Sequence, residues 1–134
     1  MFRLAISFLI FASPALAQTM TTAAEVKPIL QATKASWIAV REWEGQDLIY
    51  FTQILSWRCG VDEILFAVNG GAAQSFPAEP CYEDTAQPNA IKAEDVLPYA
   101  VAPLGSVQSV AVSLLFDDGT IEGANFERSD VLMP

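Results

Sequence analysis

Apolar and polar residues change their spacing several times along the chain, and each change marks an element. Thr22-Ala23-Ala24-Glu25 is a capping-box pattern, with Thr22 placed to cap and Glu25 to reach back. A helix over about Ala23 to Ala35 sets Val26, Ile29, Leu30 and Thr33 along one side. Pro28 opposes an unbroken helix, because it removes a backbone donor and crowds the turn before it. A start near Lys27, with Pro28 in the first turn, is the alternative.

The period then shortens to two. Ser36–Trp43 and Leu48–Trp57 are rich in β-branched and aromatic residues and predict two strands around a turn at Glu44–Asp47. With Gly45-Gln46 as a two-residue loop, Trp43 faces Leu48, Arg41 faces Tyr50, Val40 faces Phe51 and Trp37 faces Ile54. Trp37 and Trp43 then share the expected core face with Leu48 and Ile54. Val61–Val68 reads as a third strand, with Ile64, Phe66 and Val68 on one side and a turn at Asn69-Gly70-Gly71.

Residues 70–98 lose this regularity. They hold Pro77, Pro80, Pro88 and Pro98, and they read as a long surface excursion pinned by Cys81. A short helical turn is expected over Ala90–Leu97. Strands resume at Tyr99–Ala102 and Val107–Phe116, with Val110, Val112, Leu114 and Phe116 on one face. Asp117-Asp118-Gly119-Thr120 predicts a hairpin, with Asp118-Gly119 suited to a type I′ turn. In the returning strand, Thr120–Arg128, alternation separates Ile121 from Phe126. A β-bulge at Gly123 would bring both to the core face. Ser129–Met133 is expected to close as a helical turn. The sum is a mainly β domain: a small antiparallel β-sandwich or, second, a partly open barrel, with one N-terminal helix.

The first residues change where such a domain is expected. Arg3 is followed by the near-apolar run Leu4–Ala12, a break at Ser13-Pro14 and the small residues of Ala15-Leu16-Ala17. This is the pattern of a secretory signal peptide over residues 1–17, cleaved between Ala17 and Gln18 ahead of a single domain at 18–134. A transmembrane anchor is the competing reading, but nine residues span about 14 Å of helix against a hydrocarbon core of about 30 Å. Export places Cys59 and Cys81 in an oxidising compartment, where a disulfide is the economical inference. A redox or metal pair has no C-x-x-C spacing to support it.

Composition narrows the chemistry. The chain carries 16 acidic and 7 basic residues for a net charge of -9, and no histidine. That charge argues against a nucleic-acid binder. The missing histidine removes the Ser-His-Asp triad and every imidazole base or metal ligand. Adjacent acids occur at Asp62-Glu63, Glu83-Asp84, Glu94-Asp95 and Asp117-Asp118. In a strand such neighbours point to opposite faces, and in a turn they are ordinary solvated residues. No spaced calcium loop is present; an irregular calcium site from Glu79, Glu83 and Asp84 competes with a plain solvated acidic loop. Phosphate-cradling glycine motifs and serine-nucleophile motifs are absent, so neither a cofactor nor a metal is expected.

Trp57-Arg58-Cys59 combines residue types typical of interface hot spots with a rigid staple. Its structural reading is Trp57 packed over the disulfide and Arg58 paired with an acid. The candidate binding residues are therefore Trp57, Arg58, Glu79, Glu83 and Asp84, beside the Cys59–Cys81 disulfide. In the stretches SWIAVREWEGQDLIYFTQILSWRCG and SLLFDDGTIEGANFERSDVLMP the chain resembles a group of short secreted proteins predicted from alphaproteobacteria. The likeness runs from about Thr19 onward. It implies a Gram-negative periplasm and assigns no activity to any residue. The expectation is a small periplasmic binding or interaction module, not an enzyme, with a basic protein as partner. A carboxylate-dependent hydrolase of envelope glycans, with two acids across a cleft, is one alternative. A structural envelope component with an exposed tryptophan face is the other.

Overall fold

A computed structural model describes Ser7 and residues 19–134. Apart from Ser7, the signal segment at 1–17 and its cleavage site lie outside the described residues. Helix α1 (Ala23–Ala32) starts where the capping box places it, and Thr22 accepts from the Glu25 N–H. Glu25 reaches further back than expected, to the Met20 N–H at 3.1 Å, and takes the Thr22 hydroxyl at 2.9 Å. The helix runs through Pro28, so the later start near Lys27 is not adopted. Ala23, Val26 and Leu30 are its buried side, while Thr33 turns its hydroxyl onto the Ile29 carbonyl at 2.8 Å.

Two antiparallel sheets follow, and no closed barrel. Strands β1 (Ala39–Trp43), β2 (Gln46–Tyr50) and β5 (Tyr99–Pro103) form the first, in the order β1-β2-β5. Strands β4 (Gln74–Ser75), β3 (Val61–Val68), β6 (Ser109–Phe116) and β7 (Ile121–Glu127) form the second, in the order β4-β3-β6-β7. The result is mainly β and sandwich-like. Alternation in β6 buries Val110, Val112, Leu114 and Phe116, which meet Ile64 and Phe66 of β3 on the same face. Val40 and Ile49 supply the first sheet's contribution to this core. Phe51, Phe66 and Phe76 close it, with the Phe51 and Phe76 ring centroids 4.2 Å apart.

The β1–β2 hairpin departs from the expected register. Trp43 pairs with Gln46 and Arg41 with Leu48, two positions from the pairing through a Gly45-Gln46 loop. The loop is Glu44-Gly45, both left-handed with φ of 50° and 77°, the primed geometry that matches strand twist. The two-residue difference leaves the same side chains sharing a face, but the buried face is the other one. Val40 and Ile49 pair across it, whereas Trp43 stands on the outer face and is 47% exposed. Trp37 is fully buried, but it precedes the strand and donates from Nε1 to the Leu30 carbonyl at 2.8 Å.

The second strand is also shorter than its composition suggests. The Phe51 N–H still reaches the Pro98 carbonyl, but the partner strand only begins at Tyr99. With no ladder beyond that point, the chain turns helical as α2 (Thr52–Leu55) and buries Ile54 and Leu55 there.

Three further expectations are corrected. Strand β7 keeps an unbroken register against β6, so there is no bulge at Gly123, and Ile121 is left 69% exposed. One exposed isoleucine is ordinary, and an uninterrupted ladder keeps its hydrogen bonds. The register shift occurs instead in β3, between Val61 and Glu63. The β6–β7 turn is left-handed at Gly119 alone, with the Gly119 N–H donating to Phe116; this is the longer hairpin loop rather than type I′. Residues Ala90–Leu97 form no helix. The closing helical turn, α3, spans Arg128–Val131.

Candidate functional site

The Cys59–Cys81 disulfide is present, with Cα atoms 5.1 Å apart. Arg58 beside it is buried and does not pair with a carboxylate. It donates from Nε to the Glu79 carbonyl at 2.6 Å, from Nη1 to Leu55 and Asn89 at 2.9 Å each, and from Nη2 to Pro80 at 2.7 Å and Ala90 at 2.9 Å. The five-donor fork of arginine is thus the internal frame of the excursion. Burial lowers the Arg58 pKa and the Glu79 charge opposes that effect.

Glu79 is buried too. Its carboxylate accepts the Tyr82 hydroxyl and the Lys92 N–H, the latter at 3.0 Å. Burial works against its charge, yet the bonds from Tyr82, Lys92 and Ala93 outweigh burial and hold its pKa below the usual carboxylate range. The same bond raises the Tyr82 hydroxyl.

Burial leaves Arg58 and Glu79 little exposed surface of their own. Trp57 is half-buried against the core. Glu83 and Asp84 are exposed and share a hollow with Thr19, Thr21 and Pro88, and Glu83 also borders a second hollow with Arg58, Cys59 and Cys81. The five residues do not converge on one concave surface.

Of the adjacent acids, Asp117 and Asp118 are engaged by the chain's own groups, as is Glu122. Asp117 accepts the Ala23 N–H at the start of α1, at 3.1 Å. Asp118 pairs with Lys27 at 2.5 Å, and Glu122 takes Gln31 at 2.6 Å and Lys34 at 3.2 Å. These contacts dock the β6–β7 hairpin on α1. Among the described residues, no group of three or more Cys, Asp or Glu is arranged to hold a metal ion.

The outer face of β1-β2-β5 is partly open to solvent. Ala39, Arg41 and Trp43 of β1 lie beside Gln46, Leu48 and Tyr50 of β2, which lie beside Tyr99, Val101 and Pro103 of β5. The Arg41 guanidinium stacks on the Trp43 ring at 4.0 Å, and the Tyr50 and Tyr99 rings are 5.2 Å apart. Leu48 is buried at the centre of this face, and Val101 is 52% exposed. Leu97 and Leu104, flanking β5, are exposed as well. A groove of about 500 Å³ runs along one end of the face, between Arg41, Tyr50 and Gln53.

Sequence reasoning missed this face because it took the side shared by Trp37, Trp43, Leu48 and Ile54 as the core, whereas Val40 and Ile49 on the other side are buried. The usable signal was Arg41 two positions before Trp43 in a strand, which places a cation and an aromatic ring side by side.

No family model, no curated protein and no solved structure matches this chain. Among the described residues, no helix is long and apolar enough to cross a membrane.

Proposed function

We propose that this protein is an exported, periplasmic binding module that engages a protein partner through the outer face of β1-β2-β5. The observation that carries this reading is the exposed Arg41–Trp43 stack beside the Tyr50–Tyr99 pair and Val101. Trp, Tyr and Arg are the residue types that dominate binding hot spots, and a sheet presents them rigidly, which limits the ordering cost of association. Solvent-exposed aromatic and aliphatic side chains grouped on one face are unusual without a partner.

Charge has a separate role in this reading. The net charge of -9 draws a basic partner from a distance and makes the encounter salt-dependent, while the contact face itself carries the cation Arg41. The exposed Glu83 and Asp84 belong to the steering field and not to the contact. The secretory pattern at residues 1–17, the resemblance to short secreted proteins and the compatibility of a disulfide with an oxidising compartment support export.

A photo-crosslinking residue at Val101, compared with one at Ile121 on the opposite sheet, tests the reading. The expected result is one specific adduct from position 101 in periplasmic extract, lost in Trp43→Ala and absent from position 121. Equal labelling from both positions, or no adduct at low or high salt, rejects it. A mature N-terminus other than Gln18, by mass spectrometry of the secreted chain, rejects the assigned cleavage site.

A further inference from the structure

The groove at the end of the sheet face has a chemistry that its surroundings do not explain. Among the described cations, Lys27, Lys34 and Arg128 are ion-paired, Arg58 is enclosed by carbonyls, and Lys92 stacks on Tyr82. Arg41 has no carboxylate partner among the described residues, in a chain with 16 acidic residues. It stacks on Trp43 and borders the groove instead. Stacking leaves the guanidinium edge, where the N–H donors lie, free to receive an anion.

The rest of the groove divides into two parts. Ile38, Ala39 and Met133 give it an apolar wall. The Tyr50 and Thr52 hydroxyls and the Gln53 amide line it without a hydrogen-bond partner among the described residues. Its volume of about 500 Å³ lies within the range of small-molecule sites, roughly 300–1,000 Å³, and its mix of apolar wall and few polar groups is typical of them. No acidic side chain is among its lining residues.

We infer that this groove binds a small amphiphilic carboxylate, its headgroup on the Arg41 guanidinium and its aliphatic body along Ile38, Ala39 and Met133. Arginine and carboxylate match in a two-bond fork, and apolar surface in the groove accounts for the body. Charge complementarity selects this occupant: the chain's net charge of -9 disfavours anions, so an anion is held here by the local guanidinium. The site shares Arg41 with the proposed partner face, but ligand binding to purified chain without a partner is sufficient to test it.

The experiment is a calorimetric and amide-shift titration with decanoate, decyltrimethylammonium and acetate, all below micelle-forming concentrations. Decanoate is expected to bind saturably, one per chain, with shifts centred on residues 38–41 and 50–53. Decyltrimethylammonium, with the same tail and opposite charge, is expected to bind at least about tenfold more weakly, a difference of about 1.4 kcal/mol. Acetate tests whether the tail is needed, and saturable binding of it with equal affinity overturns the assignment. Arg41→Met is expected to lose the preference for decanoate about tenfold, and Arg41→Lys to lose part of it, since a lysine keeps the charge without the fork. Circular dichroism confirms that each variant is folded. No saturable decanoate binding, an equal affinity for the cationic tail, or undiminished binding by folded Arg41→Met each overturns the inference.

Discussion

Asp47 and Arg128, 81 positions apart in the chain, form an ion pair that ties β2 to the start of α3, directly after β7: Nη1 donates to Asp47 Oδ2 at 2.6 Å and Nη2 to Oδ1 at 3.1 Å. Asp47 also accepts the Gly105 and Val107 N–H groups, each at 3.0 Å, and is fully buried. The Arg128 bond holds the Asp47 pKa at about 2 against an ordinary 3.8, despite the opposing effect of burial. Arg128 is raised by the same partner.

The first prediction follows from that shift. A carboxylate with a depressed folded-state pKa contributes stability that is fully present above the unfolded value of 3.8 and is lost as pH falls toward about 2. About 2 kcal/mol of folding stability is therefore expected to disappear over that window, read by urea denaturation at stepped pH. Asp47→Asn removes the charge but leaves Arg128 largely enclosed, at an expected cost of about 3 kcal/mol. In this variant the pH dependence across the same window should shrink. A wild-type slope that persists in Asp47→Asn would assign it to other acids.

Arg58 leads to the second. Five carbonyls, from Leu55, Glu79, Pro80, Asn89 and Ala90, converge on its guanidinium. Arg58→Met fills similar space and leaves those acceptors without donors, so a loss of about 3 kcal/mol is expected. The damage should be local: hydrogen exchange is expected to accelerate in residues 76–93 while β6 and β7 keep their protection. Uniform acceleration throughout the chain would contradict this role.

The third concerns the disulfide, which spans 22 positions and constrains the same excursion. Cys59→Ser with Cys81→Ser is expected to cost about 3 kcal/mol in denaturant unfolding, chiefly by releasing the unfolded chain. Because Arg58 grips the backbone at Glu79 and Pro80, next to Cys81, the two devices share a structural unit. Combining their removal should give a loss that differs from the sum of the separate ones by more than about 0.5 kcal/mol. Strict additivity would show that they act separately.

Strand identities in β3 and β6 were legible because period-two patterns there coincide with one buried face, and β7 was legible from the Asp117–Thr120 turn that leads into it. Register was less legible. The two-residue difference in the β1–β2 hairpin depends on whether Glu44 or Gln46 joins Gly45 in the loop, and glutamate is not a residue expected at positive φ. The helical turn after Tyr50 was hidden because it depends on where β5 begins, nearly fifty residues later. The disulfide was readable from count and compartment. Arg58 and Glu79 were singled out as binding candidates; apart from the Tyr82 hydroxyl their partners are backbone groups, which side-chain pattern does not reveal.

Gly60 offers a fourth prediction, about how α1 is seated. A Cβ at Gly60 would lie 2.5 Å from Val26 Cγ2 and 2.6 Å from the Thr22 carbonyl oxygen. The helix cap therefore packs directly on the backbone beside Arg58 and Cys59. Gly60→Ala has no positive φ to strain, yet it must push the first turn of α1 away, at an expected cost of about 1–3 kcal/mol. Amide exchange at Ala23–Lys27 should rise first. Gly123→Ala, whose nearest new neighbour is the Val112 carbonyl at 3.6 Å, should be nearly neutral and serves as the control.

Trp43 provides the last prediction, and it separates stability from recognition. The ring is 47% exposed, stands at the end of β1 and is covered on one side by Arg41 alone. Its truncation removes one exposed cation–π contact, worth about 0.5–1 kcal/mol, and opens no core cavity. Trp43→Ala should thus unfold within about 1 kcal/mol of the parent chain while partner capture falls at least tenfold, the loss expected of a hot-spot aromatic. Trp37→Ala is the counterpart: that ring is fully buried and donates to Leu30, so about 3–5 kcal/mol of stability should be lost. If Trp43→Ala instead costs as much stability as Trp37→Ala, the outer face is part of the fold's own packing and the binding role falls with it.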